Sequence, residues 1–230
     1  MKRMLTKIVL TSGFILGSLG LGTSYAVDLA RPDAEKGEQI YLHGDPSRGV
    51  LACVTCHGEQ GNSALDTYPN LAEQPYEYLL KQMKDFRSED DKPAKRLGTG
   101  GNPAVMAPIV ASMTEEEMRD VAFYVSLQKL DPEAMSRASN EDTIERGQQI
   151  WRGGIPERNV AACASCHAPN GAGIPGEFPR LRGQFPSYIA EQLRNFRDGD
   201  RTNEDMMVDI ANRMHENDIK AIADYAAGLR

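Results

Sequence analysis

All four cysteines and two of the four histidines fall in two five-residue segments, Cys53-Val54-Thr55-Cys56-His57 and Cys163-Ala164-Ser165-Cys166-His167. Both read C-x-x-C-H. Two thiols three positions apart, followed at once by an imidazole, form the pattern through which a c-type haem is attached. Cys53 and Cys56, and likewise Cys163 and Cys166, would add to the haem vinyl groups. His57 and His167 would then stand as proximal iron ligands. Two disulfides or a C-x-x-C zinc site are the competing uses of four cysteines in an exported chain. A disulfide leaves the histidine directly after each pair unexplained, and the repeat of the whole pattern argues against both alternatives.

A shift of 110 residues superposes the chain on itself without a gap over most of each half. Gly37, Gln39, Ile40 and Tyr41 fall on Gly147, Gln149, Ile150 and Trp151. Beyond the superposed motifs, Gly61, Pro69, Leu71, Gln74, Tyr78, Gln82, Phe86 and Arg87 meet Gly171, Pro179, Leu181, Gln184, Tyr188, Gln192, Phe196 and Arg197. The offset then drops to 101, which implies nine extra residues in the first half between Arg87 and Met106. That stretch contains Lys92, Lys95 and Arg96 and reads as a solvated loop rather than a docking or propionate-contact loop.

The repeat also tests the second axial ligand. A ligand with one role in both halves should survive the shift, and Met106 and Met207 are superposed. A methionine ligand raises the reduction potential and suits electron transfer. Met206 is the nearest alternative in the second half. Met113 and Met214 also align, but beside a helix start where a hydrophobic staple belongs. Met83 aligns with Leu193, as a core residue would. His43 and His215 align with Gly153 and Thr114, and read as surface or capping residues. Pro69 and Pro179 each follow a motif histidine by twelve residues, and a carbonyl there is placed to accept the imidazole Nδ1–H and orient the ring.

The elements that must hold these residues are helical. Periodicity and caps indicate helices over 33–42, 76–86 and 115–127, and again over 145–151, 187–196 and 216–229. Thr114 with Glu117 forms a capping-box pattern. Gly, Asn and Pro crowd the segments after each motif, which read as loops. The expectation is an all-α chain of two domains, 27–132 and 141–230, joined by a linker at 133–140, with a covalent haem in each as part of its core.

Residues 1–26 read as a signal peptide. Lys2, Arg3 and Lys7 precede a short apolar run interrupted by Ser and Gly, and Ser24-Tyr25-Ala26 offers a cleavage site. Its loss takes three of 26 basic residues and none of 33 acidic ones, leaving 23 − 33 = −10. An acidic surface disfavours nucleic acid and favours basic patches on protein partners. Periplasmic location follows from the export signal.

These residues together carry a resemblance to the dihaem cytochrome c4 family. Its most specific stretches are Cys163 to Gly171 with Phe178-Pro179, and Gln192 to Asn203. The first half resembles the family through His57 to Asn62, Tyr78 to Gln82 and Met106. The resemblance implies tandem class I cytochrome c domains related by a pseudo-twofold axis, with two covalent haem c groups. It also implies His57, Met106, His167 and Met207 as iron ligands, and electron transfer to a terminal haem–copper oxidase from a quinol-oxidising cytochrome complex or another donor. In that fold the first and last helices of a domain cross, so Gly37 and Tyr41 would meet Ala122 and Tyr124, and Gly147 and Trp151 would meet Ala223 and Tyr225. The segment 42–51 is longer than in many members. The expected role is an electron carrier, not an enzyme, with peripheral membrane association left open. The alternatives are the dihaem subunit of a sulfide-dehydrogenase-type flavocytochrome, and a dihaem peroxidase, against which the paired methionines argue.

Overall fold

The computed structural model describes residues 31–89 and 92–230, so the expected export signal lies outside the described residues. Ten α-helices occur among them, in two sets of five with the same order. The first set is α1 (Ala34–His43), α2 (Val54–His57), α3 (Tyr76–Asp85), α4 (Met106–Ala111) and α5 (Glu115–Ser126). The second is α6 (Glu141–Gly153), α7 (Ala164–His167), α8 (Pro186–Asp198), α9 (Asp205–Asn212) and α10 (Glu216–Ala227). Extended pairing among the described residues is confined to isolated bridges. The all-α duplicated architecture expected from the sequence is therefore observed. Four short helices add to the six that periodicity indicates: α2 and α7, formed by the C-x-x-C-H segments, and α4 and α9, which carry Met106 and Met207.

In each half the first and last helices cross at a glycine. A Cβ on Gly37 would lie 2.1 Å from the Asp120 carbonyl oxygen, and one on Gly147 would lie 2.4 Å from that of Ala221. Only glycine lets the backbones approach this closely. The nearest neighbours of such a Cβ are Asp120 and Tyr124 at Gly37, and Ala221 and Tyr225 at Gly147, so the expected Tyr124 and Tyr225 contacts form and the closest backbone approach falls at Asp120 and Ala221. The aromatic pairs expected at the crossings form, with ring centroids 5.5 Å apart for Tyr41–Tyr124 and 6.4 Å for Trp151–Tyr225.

The last helices start as the sequence indicates. Thr114 accepts from the Glu117 N–H, and the Glu117 carboxylate accepts from the Thr114 N–H. Met113 and Met214, each directly before the N-cap residue, are buried in the two separate cores with Met118 and Ile219 four positions into the helix. A matched ion pair then ties each turn after the first helix to the last helix. Arg48 reaches Glu117 at 2.5 Å, and Arg158 pairs with Asp218, which also holds Arg146 at 2.7 Å.

Burial alone would raise the Asp218 carboxyl, but hydrogen bonds from Arg158 and Arg146 outweigh it and hold it below the ordinary 3.8. A depressed carboxyl contributes stability that is present above the unfolded-state value and is lost as pH falls through the lower folded-state value. Asp218→Asn is therefore expected to cost about 1.5–3 kcal/mol at neutral pH. The substitution should also flatten the loss of stability below about pH 4. Urea unfolding of wild type and variant from pH 7 to pH 3 measures both effects; parallel curves would show that Asp218 carries no such linkage.

The two halves meet through two polar layers. In one, Gln74 and Gln184, which are repeat mates, exchange roles. The Gln184 amide accepts from the Asn70 N–H at 3.0 Å and donates to the Asn70 carbonyl at 2.9 Å. The Gln74 amide accepts from the Arg180 N–H at 3.1 Å and donates to the Arg180 carbonyl at 2.9 Å. Such reciprocity is what a pseudo-twofold axis between the halves requires.

The other layer contains Arg96 and Arg201, whose backbones pair in an antiparallel bridge. Leu97 N–H donates to Asp200 O at 2.7 Å and Thr202 N–H to Lys95 O at 2.8 Å. Arg96 stacks over Phe86 at 4.2 Å and Arg201 over Phe196 at 4.3 Å, an arrangement that draws on cation–π attraction. The expected solvated loop is corrected here: Lys92 and Lys95 are exposed, but Arg96 is only 6% exposed. The equivalence of Arg96 and Arg201 also divides the insertion. Phe86 to Arg96 is ten positions against five from Phe196 to Arg201, and Arg96 to Met106 is ten against six from Arg201 to Met207, so the nine extra residues are 5 + 4. The bridging segment lies between two short insertions.

The connection between the halves is packed rather than loose. Ser136 N–H donates to Gly183 O at 3.2 Å, and Ser139 N–H donates to the Asp224 carboxylate at 2.9 Å.

Candidate haem-binding sites

Each C-x-x-C-H segment makes a single helical turn, α2 or α7. The His57 N–H donates to the Cys53 carbonyl at 2.9 Å, and His167 repeats this with Cys163 at 3.0 Å. The turn brings the two sulfurs and the imidazole to one side of the chain. The four cysteines form no disulfide with one another and are half-buried. Burial pushes the Cys53 thiol up to about 11 and the Cys163 thiol up to about 12, which keeps both neutral before any thioether forms.

Both histidines are buried, at 5% and 8% exposure. His57 Nδ1 lies 3.0 Å from the Pro69 carbonyl and His167 Nδ1 lies 3.0 Å from that of Pro179. This is the orienting bond the repeat-matched prolines suggest. A carbonyl can only accept, so each Nδ1 carries its proton and Nε2 is left as the donor atom for a metal. The loop after each motif is pinned to the first helix of its half. Tyr41 Oη donates to Gly58 O at 2.7 Å and Trp151 Nε1 donates to Pro169 O at 3.0 Å.

Beside the first motif lies a cavity of about 580 Å³, lined by Cys53, Cys56, His57, Leu79, Val121 and Met106 among others. That volume is in the range of small-molecule and cofactor sites. Its wall includes Met83 from the first half, Arg96 from the bridging segment, and Tyr188 and Gln192 from α8 of the second half. Met106 packs against the first core and Met207 against the second. Met206 is instead 50% exposed, and so is Val105, its repeat mate, at 70%.

These features fit a haem c. The thiols, the pinned imidazole and an apolar cavity stand together, and Arg96 and Arg201 are buried guanidinium groups with no ion pair among the described residues. A buried cation calls for an anion, and haem carries two carboxylates. His43 and His215 lie exposed at the end of α1 and at the start of α10, away from this role. Gln74, Gln184, Arg96 and Arg201 are the site residues that sequence reasoning missed. The two glutamines and their repeat match were visible, but no local pattern says that a glutamine reaches into the other half.

A helical domain built on a C-x-x-C-H turn, present twice, defines a dihaem c-type cytochrome. A family model described as Cytochrome c matches residues 34–129 and again 144–229. The cytochrome c4 of Azotobacter vinelandii is 37% identical over 193 residues, covering 81% of this chain and 90% of that protein. A thiosulfate dehydrogenase electron acceptor of Stutzerimonas stutzeri (strain A1501) is 34% identical, covering 85% and 87%. The crystal structure of reduced recombinant cytochrome c4 from Pseudomonas stutzeri matches with a TM-score of 0.72 at 32% identity, covering 86% of this chain and all of that one. The chain belongs to the cytochrome c4 family: it is an electron carrier that binds two haem c groups covalently.

Proposed function

We propose that the chain is a periplasmic shuttle that passes single electrons from a quinol-oxidising cytochrome complex or another donor to a terminal haem–copper oxidase. Cys53, Cys56, Cys163 and Cys166 form the thioether links. His57 with Met106, and His167 with Met207, would hold the iron. A haem c held there supplies a one-electron ferric/ferrous couple. The protein's part would be to supply both ligands to the iron, exclude water and tune the couple. The pinned histidines orient the ligand Nε2 atoms, and the two methionines bring a soft sulfur from α4 and α9. The observation that carries this reading is that each half has a buried, pinned motif histidine and a repeat-matched methionine packed on its core, with an exposed apolar residue directly before each Met. Val105 and Met206 form a rim on which a redox partner can close out water.

A second reading of the donor draws on two relatives named as thiosulfate dehydrogenase electron acceptors. It makes a thiosulfate dehydrogenase the reductant. Among the described residues no helix is long and apolar enough to cross a membrane, and peripheral attachment is compatible with either reading. Stopped-flow mixing of the reduced protein with a purified terminal oxidase tests the acceptor. Fast oxidation that slows with rising salt, as charge-steered docking requires, is the expected result. Failure to be oxidised, together with rapid reduction by a thiosulfate dehydrogenase, would move the chain to the second reading's pathway.

A further inference from the structure

The peptide group that orients each motif histidine is itself held by the opposite half. The Pro69 carbonyl faces His57 Nδ1 at 3.0 Å, and the N–H of that same peptide, on Asn70, donates to Gln184 Oε1 at 3.0 Å. In the second half the Pro179 carbonyl faces His167 Nδ1 at 3.0 Å, and the Arg180 N–H donates to Gln74 Oε1 at 3.1 Å. Both chains of hydrogen bonds are buried. Asn70 is 0% exposed, Arg180 1%, Gln74 5% and Gln184 3%.

We propose that Gln74 and Gln184 are crossed tuning residues, each acting through one peptide group on the histidine of the other half. The inference rests on the reading that His57 and His167 are iron ligands. A peptide whose N–H donates becomes more polar, and its carbonyl becomes a stronger acceptor. The stronger acceptor draws on the Nδ1 proton, makes the imidazole more basic, and so favours the ferric iron it would ligate. Loss of the glutamine carbonyl favours the ferrous state of the haem in the opposite half. The two relays are unequal. Gln184 Oε1 also accepts from the Phe185 N–H at 3.1 Å, whereas Gln74 is followed by Pro75, which has no N–H to compete. The Gln74 relay should therefore be the stronger one.

Gln74 is also the decisive test. It belongs to the first half and lines the first cavity, so a local effect would act on the first haem and the relay acts on the second. In the holoprotein, Gln74→Leu is expected to raise the ferrous-to-ferric ratio of the second haem about threefold at fixed ambient potential, or roughly 30 mV for a one-electron couple. The first haem should hold steady. Gln184→Leu is expected to shift the first haem in the same direction by less. Redox titration followed by NMR on each haem's methionine methyl resonance resolves the two, and the His167 Nδ1–H resonance should move in Gln74→Leu while that of His57 stays. A shift confined to the first haem in Gln74→Leu, an equal shift of both, or no shift overturns the proposal.

If the variants do not fold, the unsubstituted reduced protein still decides. A coupling across the hydrogen bond between the Arg180 amide nitrogen and the Gln74 side-chain carbonyl carbon is expected, and its absence overturns the relay. Failure of the ligand reading is separate: the far-red methionine–iron band would be missing from the unsubstituted ferric protein, whereas failure of the relay alone leaves that band in every variant.

Discussion

Met106→Ala is expected to abolish the far-red methionine–iron band of one haem, and Met207→Ala that of the other. Half of the band should remain in each single variant and none in the double. Axial ligands span roughly 0.8 V across haem proteins, so loss of the sulfur should lower the affected haem's potential by on the order of 0.1–0.3 V. The reason is chemical: a thioether stabilises the ferrous state, and water or an empty position does not. The proper control is Met83→Leu. Met83 lines the same cavity as Met106, but Leu193 fills its place in the second core, so the band should survive that substitution. Met206→Leu is the matching control in the second half, because that side chain is half exposed while Met207 packs on the core. An unchanged spectrum in Met106→Ala or Met207→Ala would remove the corresponding assignment.

The second large effect is expected at the centre of the interface between halves. Gln82 Oε1 accepts from Arg96 at 3.0 Å, from Arg201 at 2.9 Å and from Asn203 at 3.0 Å. Gln82→Leu keeps the volume and removes the acceptor. Each guanidinium keeps Gln192, at 2.7 Å from Arg96 and 2.9 Å from Arg201. Three donors nevertheless lose a partner in a buried site, two of them charged. Burial already pulls the Arg201 guanidinium down from its ordinary value, with the nearby Arg96 charge adding to it. The expected cost is about 3 kcal/mol. Guanidinium unfolding of the holoprotein should show a lower midpoint, and the halves should cease to unfold as one transition. A loss below about 1 kcal/mol would show that the two arginines find other acceptors. Gln82→Glu supplies an anion between them and should retain the single transition.

Much of the fold was legible in the chain because its signals are local. The six longer helices follow from 3.6-residue periodicity, and the Thr114–Glu117 box places the start of α5. The proline carbonyls were legible for a different reason: duplication preserved a twelve-residue spacing whose purpose is to orient one ring. Helices α4 and α9 escaped because they are six and eight residues long, and neither has a side-chain cap. The glycine crossing was anticipated with Tyr124 and Tyr225, but not its closest backbone approach at Asp120 and Ala221, since the depth at which two helices touch depends on their mutual rotation. Arg96 misled because a basic residue among lysines reads as solvated. Its side chain packs on Phe86 and reaches Gln192 of the other half, nearly a hundred positions away.

By itself, then, the sequence determined the chemistry of each half. Two thiols and an imidazole in five residues are set by covalent spacing and need no partner to be read, and the proposed methionine is singled out only by its survival through the repeat. The relation between the halves was decided only by the tertiary structure. The reach of Gln74 and Gln184 across the interface, and the backbone pairing of Arg96 with Arg201, depend on contacts about a hundred residues apart. Hydrogen bonds over that separation leave no periodicity in the chain, because their geometry exists only after both domains have folded and met.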